Sequence, residues 1–281
     1  MHYNDKKESI LIGKKIRMQR LFNGDLDREN IVISAVDHGM FQGVQPGLED
    51  EGKMLQAMSG SDAIILGPGM IEKYPEVFYK KQNPTLITRC SFTSAYCFPW
   101  EYEDGYTEEM FTPSFLQSLG ADVIVTSLQL KTSSQAIDAK NAKLWARMVM
   151  EKERLGLPLI GEFHPTIYEN VDRDDWHQLI KTGCRILCEL GADMIKTFYT
   201  DERFDEITSS TPLPIFILGS KKLPQEIDAL RLVEEAIKNG ARGIAFGRNI
   251  FQAKDPKKMI DALREIVKNG AAADEAADLL R

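Results

Sequence analysis

The 281 residues are 43% hydrophobic and 27% charged, enough for a sizeable core and unlike a disordered chain. A net charge of −7 and a pI near 5.3 argue against nucleic acid or an anionic membrane as the main partner. No apolar run reaches the length of a membrane span and the polar start MHYNDKKESILIGKKIRMQR is unlike a signal peptide, so a cytoplasmic protein is expected.

The predicted strands begin with IVISAV (31–36), DAIIL (62–66), PTLIT (84–88) and DVIVT (122–126). LPLIG (157–161), DMIK (193–196), PIFIL (214–218) and RGIAF (242–246) follow. Each run is short and nearly continuous, as expected of strands buried on both faces of a parallel sheet. Helical patterns lie between them, clearest at 134–155, 174–190, 224–239 and 255–268. SLGAD, RLGLP, ELGAD and KNGAR repeat one junction, in which a helix closes on a glycine able to take a left-handed cap and a strand starts at once. Strands and helices alternating over about 250 residues predict an α/β fold, a (β/α)8 barrel. We expect one domain over residues 1–281, with its core at about 30–268, an N-terminal extension and a short C-terminal helix. The aromatic stretch 91–113 is expected to be a long irregular loop after the third strand. Cys90, Cys97, Cys184 and Cys188 form no CxxC pair and are expected as reduced thiols.

In a barrel the C-terminal strand ends share one mouth. In order, those ends carry Asp37-His38-Gly39, Gly67-Pro68-Gly69, Arg89, Ser127, Glu162-Phe163-His164, Lys196, Gly219-Ser220-Lys221 and Gly247-Arg248-Asn249. Lys196 follows Met194 and Ile195, where an apolar residue would be ordinary. An ammonium in such surroundings must find a partner, give up its proton or leave. Two readings stay open: a nucleophile toward a carbonyl, or a structural lysine paired to Asp37 or Glu162. The turns after strands seven and eight, Gly219-Ser220 and Gly247-Arg248, lie where barrels often hold phosphate, with Arg248 and Lys221 supplying charge. Asp37 and His164 are candidate proton-transfer groups; each has a structural alternative, for Asp37 a salt bridge to Lys196. His38, Glu162 and Arg89 are further candidate substrate contacts, with packing beside Gly39 the plainer reading of His38. His177 in a helix and His2 in a tail read as bland. Asp37, Glu162 and His164 supply metal-type donors, yet no paired spacing such as HExxH accompanies them, and no metal is expected.

AVDHGMFQGVQPGLED, GADMIKTFYT, FILGSKKLP and GRNIFQAKDPKKMI together resemble the class I aldolase family. That family contains archaeal-type fructose-bisphosphate aldolase, aminodideoxyheptulosonate synthase and phospho-autoinducer-2 thiolase. The resemblance implies a barrel, a homo-oligomer, a Schiff base on Lys196, an acid at Asp37 and phosphate at Gly219-Ser220 and Gly247-Arg248. It also implies a small phosphorylated carbonyl substrate and no cofactor. One departure stands out: where fructose-bisphosphate aldolases and the heptulosonate synthase carry an acid/base tyrosine before a proline, this chain has His164 before Pro165. The expected activity is Schiff-base cleavage or formation of a C–C bond in a fructose-bisphosphate-like phosphorylated ketose or keto compound. The alternatives are acyl or ketol transfer of the thiolase or heptulosonate type, and a non-catalytic sugar-phosphate-binding barrel.

Overall fold

The computed structural model describes residues 3–80, 82, 84–102, 104–165 and 171–281, with side chains from residue 12 onward; His2 lies outside this range. Among the described residues, β1 (Ile31–Ala35), β2 (Ala63–Leu66), β3 (Thr85–Arg89) and β4 (Val123–Leu128) come first. β5 (Leu159–Phe163), β6 (Met194–Thr197), β7 (Ile215–Leu218) and β8 (Gly243–Phe246) complete a closed parallel barrel in sequence order. The predicted (β/α)8 barrel is therefore the fold.

Alternation along each strand sorts its side chains. Ile31, Ile33, Ile87, Val123, Val125, Ile160, Met194 and Phe216 fill the barrel interior. Their neighbours Val32, Leu86, Ile124, Leu159, Ile195 and Ile217 face the surrounding helices. The N-terminal helix Tyr3–Leu21 closes the bottom with Met18, Leu21 and the adjacent Phe22. The Phe22 ring meets Phe216 at 6.1 Å and lies 5.5 Å from the Arg242 guanidinium.

At the four repeated junctions Gly120, Gly156, Gly191 and Gly240 all take positive φ, between 64° and 94°. A glycine there ends each helix without a Cβ penalty and lets the chain turn directly into the next strand.

Several strands run further than their apolar runs predict. β3 includes Arg89, β4 continues through Ser127 to Leu128, and β5 continues through Glu162 to Phe163. Polar residues are tolerated there because the ladder brings them opposite one another: Ser127 pairs with Glu162, and Glu162 with Lys196. The stretch 91–113 is also more ordered than expected. Ser91–Thr93 and Thr107–Glu109 form an antiparallel pair, and Pro113 already begins a helix. Buried Asn141, on the helix Gln135–Leu155, anchors this excursion; its amide accepts from Thr107 N and donates to the carbonyls of Gly105 and Gln129. All four cysteines are free thiols. No described helix is long and apolar enough to cross a membrane.

Candidate active site

The inward positions next above the apolar layer are Asp37, Arg89, Ser127, Glu162 and Lys196, and they form one buried network. Lys196 Nζ lies 2.5 Å from Glu162 Oε1. Arg89 donates through Nη1 to Glu162 Oε2 at 2.7 Å and to Ser127 Oγ at 3.1 Å, and through Nε to Asp37 Oδ2 at 2.5 Å. Of the two partners open to Lys196 from the sequence, the structure selects Glu162 and gives Asp37 to Arg89. Two cations and two carboxylates thus balance inside the mouth, which is how charge survives burial.

The electrostatics follow from this pairing. Burial opposes ionisation of Asp37, yet the Arg89 guanidinium and Lys196 ammonium outweigh it and hold the carboxyl below its ordinary range. The same two cations hold Glu162 below its ordinary range as well, again against burial. Arg89, although buried, is held firmly protonated by Asp37 and Glu162. Its guanidinium also lies over the Phe41 and Tyr96 rings, each centroid 5.5 Å away and the two rings edge-to-face with one another. Arg89, at 2% exposure, is thus a bridge within the wall, not a group held open to solvent.

His164 stands one step above Glu162. Its ring is edge-on to Tyr96 at 5.0 Å and tilted against Phe198 at 5.0 Å, and burial lowers its pKa to about 4. Its Nδ1 lies 3.1 Å from the Pro165 carbonyl oxygen. A carbonyl only accepts, so the neutral ring carries its proton on Nδ1 and presents Nε2 as the basic nitrogen. His38, likewise lowered to about 4 by burial, packs edge-on to Phe251 at 5.1 Å. A Cβ on Gly247 would come within 2.3 Å of the His38 ring, so this close approach requires glycine.

Beside His38, buried Asn249 ties the last two turns together. Its amide donates to the Gly219 carbonyl at 2.7 Å and accepts from Leu223 N at 2.9 Å. Ser220 holds φ of 50°, a left-handed conformation costly for a residue with a Cβ. Arg248 heads the short helix Arg248–Phe251, with its guanidinium 5.8 Å from the Phe98 ring centre.

One cavity is lined by Asp37, His38, Arg89, Glu162, His164, Lys196, Gly219, Ser220, Lys221, Gly247 and Arg248. Gly67-Pro68-Gly69 are not among them; they line a separate cleft with Met40, Met70 and Phe111. Among the described residues no group of three His, Cys, Asp or Glu is placed to hold a metal ion.

A family model described as DeoC/LacD family aldolase matches residues 31–253. The chain belongs to the DeoC/LacD aldolase family. It is accordingly a carbon–carbon lyase of the class I, Schiff-base type. An uncharacterized aldolase of Saccharolobus solfataricus is 30% identical over 96% of this chain and all of its own length. A 3-hydroxy-5-phosphonooxypentane-2,4-dione thiolase of Photorhabdus laumondii is 29% identical, covering 95% of this chain and 86% of that protein. An archaeal fructose 1,6-bisphosphate aldolase structure superposes with a TM-score of 0.77 at 25% identity, over 90% of this chain and 98% of that one.

In this DeoC/LacD aldolase, several cavity residues escape a reading by strand ends. Phe41 and Gln42 follow the first strand, Tyr96 and Phe98 come from the loop after the third, and Phe198 lies two residues beyond Lys196. Alternation from Met194 through Lys196 places Phe198 on the inward face, so a period-2 count finds it. No spacing rule finds Tyr96, whose position depends on the path of the hairpin.

Proposed function

We propose that this aldolase acts on a small phosphorylated ketose or keto compound, with Lys196 as the Schiff-base nucleophile. The observation that carries the reading is Lys196 itself, in the same cavity as the two small-residue turns that bear Lys221 and Arg248. The substrate phosphate docks on Gly219, Ser220, Lys221, Gly247 and Arg248, where backbone amides and cations converge. Lys196 attacks the carbonyl, and the protonated imine then accepts the electron pair of the breaking C–C bond. Asp37 and His164 move protons at the reacting carbons; His164, neutral with Nε2 basic, suits the accepting role. A related archaeal fructose-1,6-bisphosphate aldolase structure, with a TM-score of 0.77 and 25% identity, is described with its catalytic lysine covalently bound to a carbinolamine intermediate, which supports this chemistry. The same reading expects a homo-oligomer working in the cytoplasm without a cofactor.

The test is borohydride reduction in the presence of a panel of phosphorylated ketoses, with the modified residue located by mass spectrometry. An adduct on Lys196, absent from Lys196→Met, is expected, and its mass identifies the bound fragment. Absence of any adduct leaves Lys196 as a structural partner of Glu162 and favours a sugar-phosphate-binding barrel. The identity to thiolases, 29% over most of the chain, favours acyl transfer as a second reading. Turnover accelerated by added coenzyme A distinguishes it.

A further inference from the structure

Tyr96 belongs to none of the motifs above, yet it is held in the mouth from two sides. Its ring meets His164 edge-on at 88° and stacks 5.5 Å from the Arg89 guanidinium. Its hydroxyl accepts from Ser127 Oγ at 3.4 Å, next to the Glu162 carboxylate. Glu162 also takes Lys196 on Oε1, while Oε2 accepts from Ser127 at 3.1 Å. Glu162 and the Ser127 hydroxyl therefore connect the Lys196 ammonium to a phenol. Burial and the Glu162 charge push ionisation of that phenol well above its ordinary range, so it keeps its proton.

Iminium formation turns an ammonium and a carbonyl into an iminium and water. Both protons of the water come from the lysine nitrogen. One leaves the ammonium before attack, and the other passes from nitrogen to oxygen as the carbinolamine forms. The hydroxyl must then receive a proton as the C–O bond breaks and the C=N bond forms. His164 is a poor donor at that moment, because burial keeps its imidazole neutral.

Resting on the Schiff-base reading above, we propose that Tyr96 is a catalytic residue that protonates the departing hydroxyl. Glu162 takes the first proton from Lys196 and returns it to the Tyr96 phenolate through the Ser127 hydroxyl. Every proton is accounted for, the net charge is unchanged, and no co-reactant is needed. The duties of acid and base are thereby divided between two touching rings, Tyr96 and His164.

Rapid-quench borohydride trapping on the full-length enzyme tests this, using whichever phosphorylated ketose the wild type traps fastest. Tyr96→Phe keeps the ring and its packing but removes the transferable proton. The expected result is adduct formation on Lys196 slowed at least tenfold, with the affinity for inorganic phosphate within about twofold of wild type. Trapping at the wild-type rate overturns the proposal. So does a slowing matched by an equal loss of phosphate affinity, which reports a distorted mouth rather than a missing acid. If the wild type itself yields no adduct with any ketose, the Schiff-base reading on Lys196 has failed, and this proposal with it.

Discussion

Arg89 shows how one residue holds the mouth together. It is fully buried, bridges Asp37 and Glu162, and packs against two aromatic rings. Removing one partner from such an arrangement strands the others, at a cost of about 3–5 kcal/mol. We expect Arg89→Met to lose stability on that scale in urea denaturation. Arg89→Lys should fall between it and wild type, because a single ammonium cannot span both carboxylates and Ser127. Equal stability of Arg89→Met and wild type would contradict the bridging role. The individual polar residues of this network were legible in the sequence as strand-end residues; their pairing was not. Asp37 and Glu162 are equally plausible partners for Lys196 in a list of strand ends, and only the register, with Glu162 directly opposite Lys196, separates them. Tyr96 was invisible for a related reason: it reaches the site from a loop whose course is fixed by Asn141, a helix residue far along the chain.

At the scale of elements, the site depends on how the helix Arg173–Glu189 seats on β5. Gly183 of that helix packs against Phe163; a Cβ there would lie 2.2 Å from the ring. Phe163 is flanked by Glu162 and His164, so displacing it moves both inward-facing groups. Gly183→Ala should cost about 1–3 kcal/mol, as overpacking does, and should lower kcat as well. Gly270→Ala is the contrast. It forces a φ of 70° on alanine at a helix C-cap with nothing within 4 Å, so it should cost about 1 kcal/mol and leave kcat unchanged. Urea denaturation with steady-state assays separates the two, and equal kcat in both variants would show that β5 tolerates the shift. The elements were the most legible part of the sequence, because buried parallel strands and glycine-closed helices leave strong local patterns. Their ends were less so. A polar residue such as Glu162 looks like the close of an apolar run even where hydrogen bonding to β4 and β6 carries the strand past it.

For the molecule as a whole, the buried mouth ties stability to pH. His38 and His164 fall from the ordinary 6.5 to about 4 on folding, because burial disfavours the imidazolium. Below pH 6.5 the unfolded chain therefore takes up protons that the folded chain refuses, and stability falls as pH drops toward 4. Each histidine contributes roughly 3 kcal/mol over that window, a large share of the roughly 5–15 kcal/mol that holds a typical protein folded. Asp37 and Glu162 act in the same direction but lower. Their folded carboxyls are held below the reference values of 3.8 and 4.5, so their contribution is present above those values and is lost as pH falls further. Stability should thus be nearly flat from pH 7 to about 8, decline between pH 6.5 and 4 with a slope set by up to about two protons taken up on unfolding, and collapse once the carboxylates begin to titrate. Urea midpoints at pH 7.5, 6 and 5 measure the slope. His164→Asn should reduce it by about one proton, since one of the two refusing groups is gone. A slope that is zero in the wild type, or the same in His164→Asn, would mean that His164 becomes protonated as readily in the folded mouth as in water. The neutral imidazole assigned to proton acceptance would then be lost at mildly acidic pH, and the division of labour with Tyr96 would hold only near and above neutrality.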